Sequence, residues 1–519
     1  MANMKHCSRV FGVIALLGLS LAFPIHAEQV SPVASVAGGS VRGTTILGEA
    51  VFKSIPFAAP PVGELRWREP QPPQPWTGTL DATRFPNTCV QSKGAGSEDC
   101  LYLNIWSPEW PSQKPKPVMI WFHGGGNTDG GTDTPLYYGA SLAKHGVVVV
   151  TAQYRLGIFG FFAHHELTKE SPHHASGNYA LLDQIAAMQW VRDNIAAFGG
   201  DPNNVTIFGE SAGAEDIGLL MASPLTKGLF HRAIAQSGPL RRVYPSLDVQ
   251  ERICESLAEA LDAPRQDQIA FLRGLPASAL VAAVSHRPFC RRITVDGYVL
   301  QDQPLKLYAE GKQHAVPFML GNTLREGFSA VAPGALRETI HAQYGSLESP
   351  VLDLYRVNGT MLPPDRLYGD AAVQYGTDQA HRCRVVLTGL QHQKTHQAFY
   401  QFEFARNLPG RPPNSSTHAD DLAFTFGEPA LREWGLESVA DRTLSDQMQS
   451  YWTNFAKTGD PNGPDVPFWP AFDPIKRAYI SLEETGAVAG EGLRRAQCDL
   501  FLEAERARPT WEHPERAPR

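Results

Sequence analysis

The chain has 519 residues, of which 43% are hydrophobic and 19% charged, with a formal net charge of −7. This balance describes a globular protein with a large core, excludes disorder as the default, and disfavours nucleic acid or an anionic membrane surface as a partner. The length is great for one domain, yet no Ser/Gly linker, charge run or internal repeat divides it, so residues 28–519 are expected to form one large domain with insertions.

Residues 1–27 read as a secretory signal. Lys5 and Arg9 supply the basic start, residues 10–23 form an apolar run too short for a comfortable membrane span, and Ile25-His26-Ala27 ends in the small residue that signal peptidase requires. The expected destination is the periplasm or the medium, and no later stretch is apolar and long enough to span a bilayer. Of the 7 cysteines, those left once Cys7 departs with the leader are even in number and lack Cys-x-x-Cys spacing, which reads as disulfides. Sequence alone leaves 15 pairings open.

Residues 33–41 and 45–52 alternate about Gly43 like the strands of an N-terminal hairpin, and a Pro-rich segment follows at 56–75. The runs 101–106, 118–122 and 147–150 are short and continuously apolar, as buried sheet strands require. Between 178 and 198 the residues Leu181, Leu182, Ile185, Met188, Val191 and Ile195 follow helical spacing, and Gly199-Gly200-Asp201-Pro202 ends that helix. Further strands are expected at 205–208, 230–236, 316–320 and 399–404. Alternating strands and helices imply an α/β architecture: a large, mostly parallel sheet with helices on both faces, long loop insertions, and a site at the carboxyl ends of the strands.

Gly209-Glu210-Ser211-Ala212-Gly213 lies between the strand at 205–208 and a helical pattern, the arrangement of a nucleophile elbow. A serine hydroxyl becomes a useful nucleophile only when a sharp turn presents it to a base. His123-Gly124-Gly125-Gly126 follows the strand at 118–122, so the amides of Gly125 and Gly126, with that of Ala212, are candidate donors to an oxyanion. Each motif alone could be an ordinary glycine-rich turn, but their succession is rare by chance. The pairs His164-His165 and His173-His174 lie in a polar stretch without nearby cysteine or ordered acidic spacing, so no metal site is assigned to them.

With these motifs the chain resembles the type-B carboxylesterases, the cholinesterase-like branch of the α/β-hydrolases. The resemblance also rests on Phe57-Ala58-Ala59-Pro60-Pro61-Val62-Gly63, Ser97-Glu98-Asp99-Cys100-Leu101-Tyr102-Leu103-Asn104, Tyr154-Arg155-Leu156-Gly157 and Phe198-Gly199-Gly200-Asp201-Pro202. It implies a serine hydrolase that cleaves carboxylic esters through an acyl-enzyme and uses no cofactor, its partner being a small-molecule ester. Gly321-Asn322-Thr323-Leu324-Arg325-Glu326-Gly327 matches the family segment that carries the acid, Glu326, and Thr417-His418-Ala419-Asp420-Asp421-Leu422 the one that carries the base, His418. Glu210, beside the nucleophile, is expected to support the triad by hydrogen bonding from outside it. The resemblance further implies Cys89–Cys100 as a short-loop disulfide and Cys383–Cys498 as a long-range one, leaving Cys254 and Cys290 as the third pair.

Two other classes fit the same fold: a lipase, distinguished by activation at a lipid–water interface, and a non-catalytic binding module. The presence of Ser211, Glu326 and His418 argues for an enzyme. Choline esters are disfavoured, because residues 90–99 lack the aromatic that would hold a quaternary ammonium in the resembling cholinesterases. Arg241, Arg242, Arg291 and Arg292 lie in segments that, by resemblance, approach the acyl pocket. The ordinary fate of loop arginines is solvation or surface pairing. The alternative is a clamp on an acidic acyl group, such as the tricarballylate side chains removed by the resembling fumonisin esterases. Nothing in the chain specifies an oligomeric state.

Overall fold

Alternation within the apolar runs sets the architecture. Along the strand Lys116–Phe122, Val118, Ile120 and Phe122 enter one hydrophobic core while Met119 and Trp121 enter another; Val148 and Val150 part from Val149 in the same way. A strand whose two faces are both buried has no polar side to show, hence the nearly continuous apolar runs. The computed structural model describes residues 31–46, 48–326, 331–358, 365, 367–408 and 416–514, so the expected leader lies outside the described residues.

The strands in chain order are β1 (Val33–Val36), β2 (Gly39–Arg42), β3 (Thr44–Ile46), β4 (Glu49–Pro56), β5 (Thr79–Asp81), β6 (Tyr102–Ser107) and β7 (Lys116–Phe122). There follow β8 (Val148–Ala152), β9 (Gly200–Glu210), β10 (Arg232–Gln236), β11 (Phe318–Thr323), β12 (Phe399–Phe404), β13 (Ala478–Glu483) and β14 (Gly486–Glu491). One 11-stranded sheet runs in the order β14-β13-β12-β11-β10-β9-β7-β8-β6-β4-β3. From β13 to β8 every neighbouring pair is parallel, and the antiparallel pairs lie toward the two edges. The helices Tyr179–Asn194 and Ala212–Ala222 pack into one core, and Leu422–Phe426 and Val439–Thr458 into the other, so the sheet is covered on both faces. Among the described residues no single helix is long and apolar enough to cross a membrane.

The N-terminal hairpin differs from the expectation. β1 pairs with β2, and β2 with β5, in a separate 3-stranded sheet; β3 then pairs with β4 in the large sheet. Gly43 is therefore the point where the chain changes sheets, and the tight turn falls at Gly39, whose φ is +145°. A Cβ on Gly43 would meet the Val51 carbonyl oxygen at 2.4 Å, so the crossing needs glycine. The helix expected to 198 ends at Asn194 and continues as a tighter turn, Ile195–Phe198, before Gly199 stops it at φ +80°.

Three disulfides join Cys89 to Cys100, Cys254 to Cys290 and Cys383 to Cys498, across sequence separations of 11, 36 and 115. Cross-linking stabilises mainly by restricting the unfolded chain, by about 3, 4 and 5 kcal/mol for loops of these sizes. Replacing Cys383 and Cys498 together by serine is therefore expected to lower the denaturation midpoint more than the same change at Cys89 and Cys100. Paired unfolding curves check this, and a reversed order would contradict it.

Candidate active site

β9 ends at Glu210 and the helix Ala212–Ala222 begins two residues later, so Ser211 must turn the chain alone, at φ 55° and ψ −121°. Such a backbone is strained for a residue with a side chain and persists only where its surroundings impose it. Here they do. A Cβ on Gly209 would lie 2.7 Å from the Phe122 carbonyl oxygen, and one on Gly213 only 2.1 Å from it. The turn thus presses against the end of β7, where the segment beginning at His123 departs. The Ser211 amide donates to the Gln236 carbonyl at 2.8 Å, tying the turn to β10.

The glycines after His123 lie beside the serine. A Cβ on Gly124 would sit 3.0 Å from the Ser211 Cβ, and Gly125 and Gly126 take φ of 108° and 66°. Among the described residues the amides of Gly125, Gly126 and Ala212 have no protein acceptor, which leaves them as donors to whatever occupies the space near Ser211. His123 is buried, stacked on Tyr154 with ring centres 4.5 Å apart, and burial lowers it to about 4, so it is neutral. Asn127, just past the glycines, donates to Asp216 at 2.9 Å, which also accepts from Gln184 at 2.8 Å; this network pins the loop to the elbow helix.

Two neighbouring strand ends bring Glu326 and His418 together. Beyond β11, Leu324 donates its amide to Phe404 at 2.8 Å and Arg325 to Ser416 at 3.0 Å, which sets Glu326 opposite His418. His418 Nε2 lies 2.7 Å from Ser211 Oγ and its Nδ1 2.5 Å from Glu326 Oε2. Oε1 of Glu326 accepts the Thr323 amide at 2.9 Å. Burial acts to raise Glu326, but the charge of His418 and the hydrogen bond from it outweigh that and hold the carboxyl well below its ordinary range. For His418, burial acts downward; the Glu326 charge and hydrogen bond, with Glu210, reverse it and push the imidazole above its ordinary value. Glu210 is itself buried and raised by that burial. Its Oε1 stands 3.1 Å from His418 Nε2 but is not aligned as a hydrogen bond. Its influence on the imidazole is therefore one of charge, unlike the hydrogen-bonded support expected from the sequence.

The four arginines separate. Gly238 packs so tightly that a Cβ there would meet the Ser211 carbonyl oxygen at 2.4 Å, which carries Arg241 to the site. Its Nη1 lies 2.7 Å from His381 Nε2, and among the described residues no carboxylate pairs with it. Arg242 is bound to the buried Glu215, which also accepts from Tyr244 at 2.5 Å. Arg292 is exposed over the Phe289 ring at 4.2 Å, and Arg291 lines a shallow hollow with Gln91, Thr128 and Phe159. Glu215, Tyr244, Asp216 and His381 were not legible as site residues, because no local motif surrounds them.

Glu326, His381 and His418 are the one grouping of three potential metal ligands among the described residues, with donor atoms all within 4.8 Å of one another. Those atoms are already engaged with Ser211, with Arg241 and with each other. His164 bonds Gln268 at 2.9 Å and His173 stacks on Tyr298 with ring centres 3.9 Å apart, so the paired histidines have polar and aromatic partners of their own.

Sheet, elbow and covering helices define an α/β-hydrolase. The model of the carboxylesterase family matches residues 30–353 and 363–501, and the chain belongs to that family. It is 38% identical to the fumonisin B1 esterase of Sphingopyxis macrogoltabida over 91% of this chain and 90% of that protein. To the para-nitrobenzyl esterase of Bacillus subtilis it is 36% identical, over 89% and 97% of the two chains. A solved PNB esterase structure superposes with a TM-score of 0.79 at 31% identity, covering 91% of this chain and 99% of that one. The activity is carboxylic ester hydrolysis.

A base must be neutral to accept a proton, so with His418 acting as one kcat/KM falls as pH drops through its pKa, and the upward shift puts that acidic limb above the ordinary histidine range. Glu210→Gln removes a carboxylate that favours the imidazolium, and is expected to move the limb to lower pH by up to about one unit. The pH profile of kcat/KM checks this; an unchanged limb, or one displaced upward, would count against it.

Proposed function

We propose that Ser211 is the nucleophile, His418 the general base and acid, and Glu326 the group that orients and charges the imidazole. The observation that carries this reading is the unbroken pair of contacts, 2.7 Å from Ser211 to His418 and 2.5 Å from His418 to Glu326. Ser211 Oγ bonds to the ester carbonyl carbon while its proton passes to His418 Nε2, and the carbonyl π electrons move to oxygen. The amides of Gly125, Gly126 and Ala212 meet that oxyanion. Collapse breaks the bond to the alcohol oxygen, which leaves with the proton from His418. Water then attacks the acyl-enzyme through the same base, releasing the acid and regenerating the serine.

The preferred acyl group is acidic. Arg242 is neutralised by Glu215, and Arg291 and Arg292 lie on surface loops, whereas Arg241 stands beside the triad with no carboxylate partner among the described residues. A guanidinium in that position can hold a substrate carboxylate with two parallel N–H donors. The similarity to a fumonisin B1 esterase supports an ester of a polycarboxylic acid. The leader at residues 1–27 and the three disulfides support export of a single domain to the periplasm or medium.

Ser211→Ala is expected to lower kcat by about 10⁴-fold or more while leaving the fold intact, with His418→Ala comparable and Glu326→Gln somewhat milder. Near-normal turnover by Ser211→Ala on every ester tried would overturn the assignment. For specificity, two esters of one alcohol are compared, one acyl chain ending in a carboxylate and the other in a methyl. The acidic ester should win in kcat/KM by about 10-fold or more, and Arg241→Met should erase the preference. Equal values for the two esters in the unmodified enzyme would leave a general carboxylesterase.

A further inference from the structure

One buried ionisable group at the site has no part in the mechanism above. His381 belongs to a single π turn, Asp378–Arg382, set between the helices Ala371–Thr377 and Cys383–His392. Turns of this kind insert one residue into a helix and redirect its side chains, and they recur at functional sites. His381 Nε2 receives Arg241 Nη1 at 2.7 Å on one side and stands 4.0 Å from Glu326 Oε2 on the other. That oxygen is the one bonded to His418.

The chemistry of the contact fixes the proton. Arginine has only donors, so Nε2 of His381 must be the lone-pair nitrogen and the ring proton must sit on Nδ1. The ring is neutral, in keeping with burial, which together with Arg241 lowers His381 far below its ordinary range against the pull of Glu326. Around it stand two cations, Arg241 and Arg382, the carboxylate Glu326 and the imidazole His418. A neutral ring thus lies between a guanidinium without a carboxylate and a carboxylate that the base depends on. Glu326 is buried and Arg241 half-buried, so a direct pairing of the two would be favourable. It would also compete with His418 for Oε2 and lower the basicity that Glu326 confers.

We infer that His381 is a positioning residue that keeps Arg241 from pairing with Glu326, so that the carboxylate remains with His418 and the guanidinium remains available to the acyl pocket. The first half rests on the triad reading above; the second half rests on the acidic-acyl reading and is not needed for the test.

The test is epistasis on a neutral p-nitrophenyl ester. His381→Phe keeps an aromatic ring but removes the acceptor, and is expected to lower kcat by about 10-fold or more. In the Arg241→Met background the same change should cost less than about 3-fold, because the competing cation is gone. His381→Gln, whose amide oxygen can accept from Arg241, should retain most of the activity. Thermal midpoints accompany the kinetics, and if His381→Phe does not fold, His381→Ala supplies the same comparison. An equal loss from the His381 change in both backgrounds would overturn the inference and reduce His381 to a filler of space. Glu326→Gln is measured alongside: unaltered turnover there would fault the triad reading itself, whereas an additive cycle with an impaired Glu326→Gln faults only the role of His381.

Discussion

The carbonyl oxygen of Phe122 is the point on which the site depends. It occupies the space that a side chain at position 209 or 213 would need, with Cβ approaches of 2.7 and 2.1 Å. Only glycine permits the turn between β9 and its helix to close onto the end of β7. That closure holds Ser211 in its strained conformation and lays the Gly124–Gly126 amides beside it, because the chain leaves β7 one residue after the contact. A methyl group at either glycine would move Ser211 away from the Gly124–Gly126 amides, so one steric constraint serves both the nucleophile and the oxyanion donors proposed above.

A second constraint is electrostatic. Glu210, Glu215, Glu326, Asp378 and Glu403 are all buried near the strand ends, and a buried carboxylate is costly unless it is paired or protonated. Each has its own solution. Glu215 has Arg242 and Tyr244; Asp378 and Glu403 share Arg382, and Asp378 also holds Arg494 at 2.9 Å. Glu326 has His418, and the same imidazole, 3.1 Å away, acts against the burial that raises Glu210. With the other cations so distributed, Arg241 is left half-buried on a neutral histidine, within the field of Glu215 and Glu326 but bonded to neither.

Much of this was legible in the chain because it is written locally. Continuous apolar runs mark strands buried on both faces, and the elbow and the glycine run are sequence motifs whose backbone requirements leave no substitute. What was not legible comes from convergence in space. Glu326 and His418 are 92 residues apart and meet only because β11 and β12 are neighbours, so they could be named by family resemblance but not by pattern. His381 lies in a helical stretch with no motif, and a π turn cannot be read from side-chain periodicity. The N-terminal segment misled because alternation about Gly43 looks the same whether the chain pairs with itself or passes from one sheet to another.

The central claim, that the 2.7 Å contact with His418 makes Ser211 the nucleophile, is tested most directly by covalent capture. A fluorophosphonate reacts with an activated serine and not with an ordinary hydroxyl. Incubation with a fluorophosphonate followed by peptide mass spectrometry should find one adduct, on the peptide containing Ser211, formed in step with loss of ester turnover and much slowed in His418→Ala. Stoichiometric labelling of a different residue, or full turnover in protein whose Ser211 is completely modified, would contradict the account.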